Sequence, residues 1–72
     1  MDIFSRRLIG LRNEKDLSQR EVAKLLGVHF STYMKYENGG ETNFTMLVKI
    51  SDFFGVSTDY LLGKTNLPDP LN

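Results

Sequence analysis

The side chains that could do chemistry gather in GVHFSTYMKYENG, residues 27–39. Lys35 brings an ammonium donor, Ser31 a hydroxyl that donates or accepts, and His29 an imidazole that does either. Phe30 and Met34 add apolar surface. This is equipment for holding a partner, not for breaking bonds. The chain has no cysteine and no second histidine, so thiolate chemistry, disulfides and a metal site are not expected. No carboxylate pair has a spacing suited to acid–base work. A chain of 72 residues also holds no pocket of substrate size. The expectation is a non-enzymatic protein with no cofactor and no small-molecule ligand.

These residues need a rod beneath them. At about 100° per residue from Phe30, the side chains of Ser31, Met34 and Lys35 fall within about 140° on one flank. Tyr33 and Tyr36 fall on the other. The tyrosines, helped by Val28, are the core candidates, with their hydroxyls directed to an edge.

Four more helical segments surround that rod. The first runs from about Ile3 to Lys15, with Asp2 as its cap and Phe4, Leu8 and Leu11 as its buried stripe. Gly10 inside it costs about 1 kcal/mol relative to alanine. The second opens on Ser18-Gln19-Arg20-Glu21, a capping box, and buries Val22, Ala23 and Leu26 before Gly27. The fourth starts at Asn43 and turns Phe44, Leu47, Ile50 and Phe54 inward. The fifth is short, capped by Ser57, and packs Tyr60, Leu61 and Leu62. Alternating runs and hairpin turns are missing, so strands are not expected. The fold class is all-α: a compact bundle of five helices over residues 1–63. KTNLPDPLN, residues 64–72, has two prolines and no periodicity, and reads as a tail or the start of a linker.

Nine basic and nine acidic residues cancel, which is not the strongly basic footprint of many nucleic-acid binders. Residues 1–40 hold seven of the basic and five of the acidic ones, so the N-terminal half is the positive end. The N-terminus, MDIFSRRLIG, has neither a long apolar run nor a cleavage pattern. No signal peptide or membrane span is expected, and the default location is cytoplasmic.

Two short helices joined tightly around Gly27 suggest a helix-turn-helix. LSQREVAKLLGVHFSTYMKYENG, followed by FTMLVKISDFFGVSTDYLLG, resembles the Cro/repressor-type (phage repressor-like) helix-turn-helix regulators over residues 4–63. The joint order and spacing of these pieces carry the likeness. It implies a double-stranded DNA-binding transcriptional regulator, most simply a repressor, working as a homodimer on an inverted repeat. Residues 30–37 match the recognition helix that enters the major groove. His29, Phe30, Ser31 and Lys35 match base-facing positions. Gln19, Thr32 and Asn38 match positions that contact the phosphate backbone; Ser18 stands beside Gln19 with free helix-end amides that suit an anion, and the Gly40 amide could join them. Arg12 and Glu37 match a structural ion pair. The last helices would pair two chains, with Tyr60, Leu61 and Leu67 as candidates, and Ile9, Leu25 and Phe53 are further apolar residues expected at the surface.

The sequence also departs from that pattern. Family members often place lysine or arginine before the fourth helix; here stand Gly39, Gly40, Glu41 and Thr42. Since phosphate contacts carry much of the affinity, this implies weak binding by one chain and reliance on two half-sites. His29 is as compatible with a neutral cap as with a contact. Phe30 and Met34 could instead face a partner protein, which keeps open an alternative: an antitoxin-like or regulator-partner interaction module.

Overall fold

The structure is a computed structural model, and it describes residues 2–69. Five helices follow in order: α1 (Ile3–Glu14), α2 (Gln19–Leu26), α3 (Phe30–Glu37), α4 (Phe44–Phe54) and α5 (Thr58–Leu61). The described residues contain no strand. No helix among them is long and apolar enough to cross a membrane.

Side chains start most of these helices. Asp2 accepts from the Ser5 amide at 2.8 Å, Asn43 from Met46 at 2.7 Å and Ser57 from Tyr60 at 3.0 Å. The capping box forms in both directions: Ser18 Oγ accepts from the Glu21 amide, and Glu21 Oε1 accepts from the Ser18 amide. Each such cap contributes about 1 kcal/mol. His29 stands at the N-cap of α3 and makes no side-chain cap bond. Gly27 ends α2 in the left-handed region at φ 74°, and the Val28 amide then reaches back to the Ala23 carbonyl at 3.0 Å. This closure turns the chain within three residues and sets α3 across α2.

The expected stripes meet in one core. Leu8 and Leu11 of α1, Val22, Ala23 and Leu26 of α2, Tyr33 and Tyr36 of α3, and Ile50 and Phe54 of α4 are buried together with Val56 and Leu61. The two tyrosine rings meet edge to face, 6.3 Å apart. α3 packs on both α1 and α2, so its tyrosine side is fixed from two directions.

Several expectations need correcting. Phe44 is 78% exposed and Leu62 46% exposed, although both were expected to pack inward. Phe44 occupies the first residue of α4. It borders an open cavity of about 390 Å³ shared with Phe4, Thr42, Leu47 and Leu62, so the expectation that a chain of this length holds no pocket of substrate size fails on volume. Ser51 takes an inward place instead, its hydroxyl satisfied by the Val48 carbonyl at 2.8 Å. Ile9 and Phe53 are half-buried rather than free, Phe53 resting edge-on against Phe54; Leu25 is exposed as expected. Leu61 is fully buried and so cannot face a second chain.

Residues 64–69 run back along the bundle without helix. Arg7 holds them: its guanidinium donates to the Tyr60 and Thr65 carbonyls at 2.5 Å each and to Asn66 at 2.9 Å, over the Tyr60 ring. The Ser57 amide donates to the Pro68 carbonyl at 2.9 Å. Pro70, the second proline of the expected linker, lies outside the described residues.

Candidate nucleic-acid interface

α3 has two contrasting sides. Beneath it, Glu37 is only 2% exposed, a carboxylate inside the globule. Such a group is tolerated only when charge and hydrogen bonds replace its lost water. Arg12 supplies both, with Nε 2.7 Å from one carboxylate oxygen and Nη2 3.2 Å from the other. Gln19 Nε2 donates to Glu37 at 3.0 Å, and the Tyr33 hydroxyl donates as well. Arg12 extends the network to the α1–α2 turn through the Leu17 carbonyl at 2.9 Å.

These contacts set the titration of each member. Burial works to raise the Glu37 carboxyl, but the bonds from Arg12, Tyr33 and Gln19, with the Arg12 charge, outweigh it and hold the group below its ordinary value. Burial and the facing carboxylate push the Tyr33 hydroxyl far above its ordinary range. The Glu37 hydrogen bond lifts Arg12 higher still, despite its burial. Glu37 is therefore charged at neutral pH and binds α1, α2 and α3 at a single point.

The C-terminal end of α3 is tied by another buried residue, Ser5. Its hydroxyl donates to the Tyr36 carbonyl at 2.5 Å and accepts from the Gly39 amide at 3.0 Å. Ser5 was not singled out from the sequence, although it lies one residue from Phe4 on the inner side of α1. Gly40 closes the same turn by donating to the Lys35 carbonyl at 2.7 Å. That corrects one expectation: the Gly40 amide is spent inside the protein and is not free for a phosphate.

On the outer side, Ser31 and Lys35 are exposed and His29 stands exposed before them. Phe30, Thr32 and Met34 are half-buried. The Phe30 ring is covered by Arg20 of α2, whose guanidinium carbon lies 4.0 Å from the ring centroid. Ser18 is engaged in its own cap, and Gln19 turns one N–H inward to Glu37 while keeping its second N–H and its oxygen. Asn38 is exposed at the far end. Among the described residues, no group of three histidines or carboxylates is placed to hold a metal ion.

A rigid rod with one pinned side and one open polar side, set across a second short helix by a glycine turn, is the geometry of a helix-turn-helix. The sequence pattern described as helix-turn-helix matches residues 8–61. The chain belongs to the helix-turn-helix family of phage repressor-like transcriptional regulators.

Relatives in the family include an SPbeta prophage-derived uncharacterized HTH-type transcriptional regulator, YonR, of Bacillus subtilis (strain 168). It is 42% identical over 65 residues, which cover 89% of this chain and 60% of that protein. The cryptic phage CTXphi transcriptional repressor RstR of Vibrio cholerae is 36% identical over 72 residues, covering 96% of this chain and 65% of that protein. The HTH-type transcriptional regulator AnsR of Bacillus subtilis (strain 168) is 39% identical over 59 residues, covering 81% of this chain and 51% of its own length. This helix-turn-helix chain thus spans between about half and two thirds of these relatives.

Proposed function

We propose that the chain is a sequence-specific reader of double-stranded DNA that regulates transcription, most simply by repression, and that α3 enters the major groove. One observation carries the reading. The buried Arg12–Glu37–Tyr33 network and the tyrosine rings fix α3 on one side, while Ser31 and Lys35 stand free on the other, flanked by His29 and Phe30. Such a rod presents preorganised donors without first having to order itself.

The chemistry follows by residue. Lys35 donates to guanine O6 or N7, and Ser31 donates or accepts at a neighbouring base edge. Phe30 meets a thymine methyl, the apolar feature of the major groove. The remaining Gln19 N–H, Asn38 and Thr32 face the phosphates, and His29 meets a phosphate or a base acceptor. Balanced charge and Glu41 in the α3–α4 loop limit the grip of one chain. A homodimer on an inverted repeat, with half-site centres ~34 Å apart, supplies the rest. The work is cytoplasmic and needs no catalysis.

Repression by such a protein means occupying a promoter. The name of RstR as a phage transcriptional repressor supports that sign of regulation. The interaction-module alternative loses support because Arg20 covers Phe30 and Met34 is half-buried, so their face is not a bare apolar patch. Selection of bound sites from random duplexes tests the proposal. A symmetric motif with half-sites one turn apart, released steeply by salt, is expected. No enriched duplex, together with salt-insensitive binding of a protein, would overturn it.

A further inference from the structure

We propose that Arg20 and Phe30 act as one recognition unit: the ring reads a pyrimidine C5 methyl, and the guanidinium stacked on it grips the adjacent phosphate. The proposal rests on the DNA-binding reading above and adds Arg20, which neither the sequence pattern nor that reading had used.

The geometry supporting it is local. Arg20 is the second residue of α2 and Phe30 the first of α3, so the stack bridges the two helices across the turn. Arg20 is exposed and makes no hydrogen bond or ion pair among the described residues. Its neighbour Glu21 is occupied in the Ser18 capping box.

A second arginine shows what a spent guanidinium looks like. Arg7 sits 4.1 Å over the Tyr60 ring, much as Arg20 sits over Phe30. Its donors, however, go to Tyr60, Thr65 and Asn66, where they anchor the chain after α5. Arg20 has the same stacking with its donors unspent. Stacking fixes the guanidinium through its face and leaves the in-plane N–H groups free. The unit therefore holds a planar donor fork at a set distance from an apolar ring.

The partner chemistry follows from position. The first helix of a helix-turn-helix crosses the DNA backbone, which sets the start of α2 near a phosphate. Phe30 has no polar atom, and the C5 methyl of a pyrimidine is its match in the major groove. With no lysine or arginine at Gly39–Thr42, Arg20 supplies backbone charge from another element. Covering one face of Phe30 also limits its rotation, so the exposed part of the ring meets the methyl in one orientation.

The test uses the full chain and its selected duplex, with affinity measured across a salt series and with each thymine replaced in turn by uracil. Wild type should lose roughly fourfold at one thymine of each half-site, the worth of one buried methyl. Arg20→Met keeps an apolar cover without charge. It should retain the uracil penalty and flatten the log–log salt slope by about 0.9 per bound chain. Arg20→Ala removes cover and charge, and should lose both. Unchanged melting temperatures would show that the exposed site does not act through folding. A wild-type salt slope in both variants, or a full uracil penalty in Arg20→Ala, overturns this proposal alone. Failure of wild type to retain any duplex overturns the DNA-binding reading with it.

Discussion

Replacing Glu37 with glutamine removes one negative charge and keeps nearly the same shape. The carboxylate now accepts from Arg12 Nε and Nη2, from Gln19 and from Tyr33. A glutamine offers one acceptor oxygen and turns an amide toward the remaining donors. Whichever way that amide turns it faces one Arg12 N–H, which only donates, so at least one contact is lost, and the Arg12 charge stays largely buried without its counter-charge. Breaking a buried pair in this way costs about 3–5 kcal/mol. A domain of this size has about 4–11 kcal/mol in total. The melting temperature should therefore fall by at least about 12 °C, followed by circular dichroism at pH 7. The pH dependence gives a second check. Glu37 titrates below its unfolded value, so its contribution is present above the unfolded pKa of about 4.3 and is lost as acid takes the pH through the lower folded value. The gap between wild type and Glu37→Gln should shrink there. A loss under about 1 kcal/mol at pH 7, or a gap that does not change with acid, would refute the network as the pin beneath α3.

Other substitutions test separate elements. Gly10→Ala should stabilise by about 0.5–1 kcal/mol in urea denaturation, because an added Cβ meets nothing within 4 Å in an ordinary helical conformation. Gly40→Ala should destabilise by about 1–3 kcal/mol, because its Cβ would stand 2.7 Å from the Lys35 carbonyl oxygen. Lys35→Ala should cost about 1–3 kcal/mol of binding and relax base preference at one position of each half-site, read by repeating the site selection.

The helices were legible because their signals are local. Asp2, Ser18, Asn43 and Ser57 are N-cap types directly before apolar periodicity, and each caps its helix. Tyr33 and Tyr36 were placed in the core by their angle on the helix together with Val28 in the turn, and both are buried. The Arg12–Glu37 contact came from family likeness. Spacing could not have supplied it, because the two residues lie 25 apart and meet only through the α1–α3 crossing. Distance in the sequence also hid Gln19 as a partner of Glu37, whereas Tyr33 stands four residues before Glu37 on α3, a spacing that does bring side chains together. Periodicity also misplaced Phe44, since it tells which side of a helix is apolar but not how much of that side a neighbour covers. Ser5 carried no signal in the sequence, because its role depends on the carbonyl of Tyr36, 31 residues away. Arg20 over Phe30 needed the turn geometry, because nothing in the sequence pairs residues on successive helices. The Gly40 amide was misassigned for a related reason. Its partner, the Lys35 carbonyl, lies in the last turn of α3, where the carbonyls lack a partner one helical turn on, and the following turn closes on it through the Asn38 and Gly40 amides.

The central claim is that the outer side of α3 is the surface that meets DNA. The most direct measurement is an amide NMR titration of the isotope-labelled chain with its selected duplex. The account predicts the largest shifts at residues 18–20 and 29–38, with the Phe44 and Leu62 side little changed by the duplex itself. Shifts centred on α4 and α5, with residues 29–38 silent, would contradict it.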